Sequence, residues 1–125
     1  MGESKEIHNE NLIKPLANVY LYAKSRIFGP GIVELLKNIE QCKSLQEACK
    51  LMNMSYTKGW KIIKKLEKET NLTFIVTKIG GSTGGMSILS KDGEKILKAY
   101  DMLINDVNKA LEKSYDKHMK KLFEK

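Results

Sequence analysis

With 125 residues, 42% of them apolar and 30% charged, the chain can bury one modest hydrophobic core and is not disordered by composition. No apolar run approaches the ~20 residues of a bilayer-spanning helix, and no secretory signal opens the sequence, so a cytoplasmic protein without a membrane partner is expected. A net charge of +7 points to a polyanionic partner, with double-stranded DNA the first candidate.

That charge is uneven. Residues 55–70 carry +3 and residues 71–90 carry +1, while residues 30–54 are neutral and residues 1–29 carry +1. Residues 91–125 carry +2 over more than twice the length of the 55–70 segment. Cys42 and Cys49 are too few for a disulfide framework and lack close metal-ligand spacing. Two isolated histidines, with no carboxylate pair and no nucleophile–base set, predict no catalytic site, no metal and no cofactor.

In chain order, residues 1–14 are polar and unpatterned and read as a loose tail. Val19 to Ala23 is rich in β-formers and predicts a short strand near a sheet edge, stopped by Gly29-Pro30-Gly31. Ile32, Leu35, Leu36 and Ile39 then give a helical stripe through Glu40, with Pro30 tolerated in the first turn.

Ser44 opens a second helix, with Glu47 placed to complete a capping box. Leu45, Ala48, Cys49 and Met52 keep one face of it apolar, which makes Cys49 a small buried hydrophobe. Asn53-Met54 breaks the pattern and Ser55 offers a second N-cap. Behind it Gly59, Ile62, Ile63 and Leu66 form an apolar stripe, and Tyr56, Thr57, Lys61, Lys64 and Lys68 occupy the other side. A helix, a tight turn and a second helix with a basic N-terminal face are the parts of a helix-turn-helix. The plainer alternative is a helical hairpin with a solvated lysine face.

Thr73 to Ile79 reads as a strand, Gly80 to Gly85 as a turn, and Met86 to Leu89 as a strand pairing back. A hairpin directly after a recognition helix is the wing of a winged helix-turn-helix. Glycine-rich loops that cradle nucleotides run from a strand into a helix, often followed by Lys-Ser or Lys-Thr, and this one joins two strands. As a wing tip it would bring backbone N–H groups to phosphates, with Ser82 and Thr83 adding hydroxyls; as a plain turn it would touch nothing.

Ser90, with Glu94 four residues on, opens a final helix to about Phe123, ~45 Å at 1.5 Å per residue. Leu97, Tyr100, Ile104, Val107, Leu111, Tyr115, His118 and Leu122 recur along one face. The first turns close the core; the rest predicts the seam of a homodimer, formed by Leu97, Tyr100, Ile104, Val107, Leu111, Tyr115 and Leu122. The expected fold is mostly α with a small β-hairpin: a winged helix-turn-helix over residues 15–95 with a long dimerisation helix over residues 90–123.

The run from Ser44 to Ile63, with its small pair Ala48-Cys49, its Met54-Ser55-Tyr56 and Trp60 one turn on, resembles the N-terminal DNA-binding domain of ModE-type molybdate-responsive regulators. The glycine-rich wing tip and the segment Leu89 to Glu94 are similar too, and the likeness covers about residues 30–100. LysR-type regulators share the winged architecture with a long dimerising helix. The resemblance implies DNA binding and dimerisation, and so a prokaryotic, sequence-specific transcriptional regulator; a homodimer paired about a twofold axis would read an inverted repeat. Molybdate-sensing members use a separate C-terminal oxyanion-binding domain. This sequence ends at Lys125, so no molybdate response is carried over and the effector stays unassigned. Cys49 and Gly59 stand where such helices often carry alanine.

The residues expected to meet DNA are Ser55, Tyr56, Thr57, Lys58, Lys61, Lys64 and Lys65 on the recognition helix, with Lys78, Ser82 and Thr83 on the wing. Trp60 either braces that helix against the core or sits near the DNA, with bracing the first expectation. The competing reading is a winged-helix interaction or assembly module without sequence-specific DNA binding.

Overall fold

The computed structural model describes residues 12–79 and 85–124. It begins with a short hairpin, β1 (Leu21–Tyr22) and β2 (Arg26–Phe28). The strands pair antiparallel, Leu21 opposite Phe28, around a turn in which the Ala23 amide donates to the Ser25 carbonyl at 3.0 Å. The single strand expected from Val19 to Ala23 is instead a hairpin. The reversal at Ala23-Lys24-Ser25 cuts the first strand to two residues, and Gly29-Pro30 ends a second strand that the pattern did not reveal.

Helix α1 (Pro30–Cys42) follows, with proline in its first turn and Lys43 closing it in the left-handed region at φ 55°. Helix α2 (Leu45–Leu51) is capped by Ser44, whose hydroxyl accepts the Glu47 amide at 3.1 Å. Only half of the expected capping box forms. The Glu47 carboxylate turns away to Lys50 Nζ at 3.3 Å, an i,i+3 partner on the same exposed surface. Asn53, at φ 58°, makes the tight turn to helix α3 (Tyr56–Thr70).

Strands β3 (Ile75–Ile79) and β4 (Gly85–Leu89) form the antiparallel wing, Ile75 opposite Leu89 and Ile79 opposite Gly85. The wing is tied down at three places. The Ser87 amide donates to the Lys43 carbonyl at 3.0 Å, joining β4 to the end of α1. Glu67 Oε2 accepts the Phe74 and Ile75 amides at 2.8 and 3.3 Å, joining α3 to the start of β3. The Ser90 hydroxyl donates to the Thr73 carbonyl and accepts the Gly93 amide at 2.9 Å. Ser90 thus caps helix α4 (Lys91–His118) through Gly93, three residues on, and not through Glu94. Gly93 is required where it stands, because a Cβ there would collide with the Phe74 carbonyl oxygen.

The predicted single helix to Phe123 is interrupted. Helix α4 stops at His118, Met119 departs to φ −123°, and helix α5 (Lys120–Phe123) follows. The Leu122 amide reaches back only three residues, to Met119 O at 2.9 Å. Lys117, Lys120 and Lys121 fall together at this point, and cations are favourable at a helix C-terminus but repel one another along a continuing one.

Two compact units result. Asn18–Leu103 holds both hairpins, α1 to α3 and the first turns of α4; the described residues up to Ala17, with Ile104 onward, form the other. Phe28, Leu35, Leu36, Ile39, Leu66 and Phe74 are the fully buried centre of the first unit. Tyr100 joins them, its ring edge-on to Phe28 at 5.2 Å between centroids and its hydroxyl donating to Val19 O at 2.7 Å. Burial pushes the Tyr100 phenol pKa up. The fold is the winged helix-turn-helix with a long C-terminal helix. Among the described residues no helix is long and apolar enough to cross a membrane.

Candidate nucleic-acid interface

Helix α3 has two sides with different chemistry. Gly59, Ile63 and Leu66, spaced at four and three residues, are buried and hold the helix against the core, with Ile62 half-buried beside them. The closest approach is at Gly59, where a Cβ would collide with Cys49 Sγ of α2. The larger side chain on one helix is matched by none on the other. Burial also pushes the Cys49 thiol pKa up, and the hydrogen bond from the Gly59 backbone offsets part of that.

Fixing that side turns the other outward. Ser55 Oγ accepts the Lys58 amide at 3.1 Å and so sets the first turn. Its oxygen is already committed to the helix, while Tyr56, Thr57, Lys58, Lys61, Lys64 and Lys65 all stand exposed beyond it. Ser55, Thr57, Lys58, Lys61, Ile62 and Lys65 line one open groove. Among the described residues no carboxylate lies within ion-pairing distance of Lys58, Lys61 or Lys65. Lys64 differs: its ammonium sits 3.3 Å from Glu67 Oε1 and 5.6 Å from the centre of the Trp60 ring.

Trp60 does not brace the helix. It is 45% exposed, because position 60 lies about 100° around the helix from Gly59, beside the buried line and not on it. Lys78 on β3 is also exposed, opposite Met86 in the wing register. Ser82 and Thr83 at the wing tip lie outside the described residues.

The residues expected at a dimer seam divide. Leu97 and Tyr100 belong to the core of Asn18–Leu103, each 7% exposed, and so are not available to a second chain. Ile104, Val107, Leu111 and Tyr115 are half-buried; Leu122 is 74% exposed and His118 is exposed. The Tyr115 hydroxyl donates to Ile13 O at 3.3 Å, so the chain's own early segment takes part of this face.

Cys42 is half-buried, Cys49 is buried, and both are reduced. The described residues contain no cluster of histidine, cysteine or carboxylate side chains that could hold a metal ion. The anchoring role of Glu67 escaped the sequence reading, since a glutamate beside lysines on a helix looks like any surface ion pair.

No family model matches the chain. Individual proteins do. It is 34% identical over 74 residues to the transcriptional regulator ModE of Haemophilus influenzae, covering 59% of this chain and 29% of that protein. It is 29% identical over 93 residues to ModE of Yersinia pestis, covering 74% of this chain and 35% of that relative. Its homologues are ModE transcriptional regulators. The Escherichia coli relative, the DNA-binding transcriptional dual regulator ModE, is 26% identical over 83 residues, 66% of this chain and 32% of its own length. The chain therefore spans about a third of the length of these ModE relatives.

Proposed function

We propose that this protein is a DNA-binding transcriptional regulator that acts as a homodimer, with α3 in the major groove and the β3–β4 wing along the backbone. The observation that carries this reading is the exposed row Lys58, Lys61 and Lys65 beside Tyr56 and Thr57, on a helix whose other side is locked into the core. A rigid helix bearing uncompensated ammonium groups fits a groove walled by phosphates, and lysine can also reach the O6 and N7 acceptors of guanine. Tyr56 and Thr57 offer hydroxyls to bases or phosphates from the first turn. Lys78, Ser82 and Thr83 are assigned to the backbone beside that groove. Lys64, held by Glu67 and Trp60, contributes less than its neighbours.

The homodimer is assigned to the surface of Ile104, Val107, Leu111, Tyr115 and Leu122. Pairing about a twofold axis would direct two α3 helices to half-sites separated by ~34 Å or a multiple, so the operator is an inverted repeat. The domain division follows: a winged helix-turn-helix over residues 15–95 and a dimerising helix over residues 90–123, with residues 1–14 lying mostly outside the described part.

The exposed Trp60 also suits a protein-interaction module, and one experiment separates the two readings. Gel shifts with genomic fragments at rising salt should show affinity falling with a slope of about −0.9 per phosphate contacted. Failure to bind any duplex at low salt would leave the interaction module standing. For the dimer, Ile104→Lys with Leu111→Lys should sediment as a folded monomer with weakened operator binding. Wild-type protein sedimenting as a monomer at micromolar concentration would remove the dimer from the proposal.

A further inference from the structure

A cleft of about 250 Å³ opens between the first hairpin, the start of α1 and the turn from α2 to α3. Ile32, Leu35, Met52, Met54 and Ile62 supply its apolar lining. Among the described residues two charged side chains border it, Arg26 from β2 and Lys58 from α3, and both are cations. The Arg26 guanidinium lies 4.0 Å from the centre of the Tyr20 ring. Tyr20 in turn rests against Gly29, where a Cβ would collide with the ring. The cation is thus held in place by a stacked aromatic and a glycine that admits it.

An apolar cleft bordered, among the described residues, by two cations and no carboxylate is complementary to an anion with an apolar body. Duplex DNA does not fit it well, since phosphates at Arg26 and Lys58 would leave the apolar lining unused. We propose that this cleft binds a small apolar carboxylic acid, its carboxylate between Arg26 and Lys58 and its hydrocarbon part against Met52, Met54 and Ile62. Arginine offers a carboxylate two parallel N–H donors, and lysine adds a point charge.

The consequence for regulation rests on the DNA-binding reading. Lys58 and Ile62 line both this cleft and the lysine groove of α3. An acid that engages Lys58 withdraws one cation from DNA, so ligand and operator oppose each other, each weakening the other by the same factor.

The first test needs no DNA. Benzoate and phenylacetate are titrated to millimolar concentration against protein carrying isotope-labelled methionine methyl groups, with benzyl alcohol and acetate as controls. Both aromatic acids should shift the Met52 and Met54 resonances, and neither control should match them. Arg26→Gln, a surface change whose fold is checked by circular dichroism, should weaken benzoate by about tenfold or more. Methyl resonances that ignore both acids overturn the proposal, as does an equal response to benzyl alcohol or unchanged benzoate binding in Arg26→Gln. Resonances that move with a duplex and not with the acids assign the cleft to DNA and also overturn it. In a second measurement, benzoate should lower operator affinity of the wild type. Methyl shifts without that effect remove the regulatory coupling while the ligand site stands. If no duplex binds at all, the titration still decides the cleft.

Discussion

The two sides of α3 differ in what a substitution can do to them. On the inner side, Gly59, Ile63 and Leu66 are buried and Gly59 touches Cys49 with no room to spare. On the outer side, Lys58, Lys61 and Lys65 stand in water beside an open groove. Packing density makes the first side sensitive to a single methyl group, while surface positions tolerate change and report only through what they bind. One helix therefore separates folding from the proposed recognition by direction alone.

The largest effect should come from emptying the inner side. Leu66→Ala removes a fully buried side chain and should cost about 2–5 kcal/mol in chemical denaturation. Glu67→Ala comes next. It strips the acceptor from the Phe74 and Ile75 amides, and part-buried amides without a partner cost about 1–3 kcal/mol. Loss of stability much below this in urea unfolding would mean that water replaces the carboxylate.

Gly59→Ala sharpens the contrast. Alanine is worth ~1 kcal/mol more than glycine inside a helix, but overpacking costs about 1–3 kcal/mol, so the collision with Cys49 should win. Cys49→Ala with Gly59→Ala should be more stable than Gly59→Ala alone, an interaction read from the double-mutant cycle. Additive single effects would mean that the two residues do not share one space.

On the outer side, Lys61→Ala and Lys65→Ala should leave stability within ~0.5 kcal/mol. Each should reduce the salt slope of duplex binding by about one if its lysine neutralises a phosphate. A base-reading lysine would instead relax preference at one operator position, at about 1–3 kcal/mol. The smallest effect concerns thiol chemistry. Burial and a raised pKa keep Cys49 from forming thiolate, so alkylation of native protein should mark Cys42 well before Cys49.

How far the fold was readable depended on how local each cause was. The hydroxyls of Ser44 and Ser55 each accept an amide three residues on, a short-range pattern visible in any window of sequence, and Ser90 was legible as a cap although its partner is Gly93 and not Glu94. The stripe of Ile32, Leu35, Leu36 and Ile39 and the strand pattern of Thr73 to Ile79 were legible for the same reason. The Gly59–Cys49 contact was not, because it depends on how closely two helices approach. The stripe from Leu97 to Leu122 showed an apolar face but not its owner: Phe28 and Val19, some 70 to 80 positions earlier, claim Tyr100. The lysine face was plain in the sequence, yet the Arg26–Tyr20 cleft was hidden, since its cations and lining come from four separate elements.

The Ser90 hydroxyl, bonded both to Thr73 O, 17 positions earlier, and to the Gly93 amide, closes a loop containing the whole wing at the point where α4 begins. Neither the hairpin nor the helix start can open without surrendering that shared oxygen. In native-state hydrogen exchange, the amides of β3, β4 and the first turn of α4 should consequently open as one cooperative unit, with a common free energy. Ser90→Ala should weaken that coupling to what the Ser90 amide keeps through the Phe74 carbonyl at 2.9 Å, letting the wing amides exchange ahead of the helix.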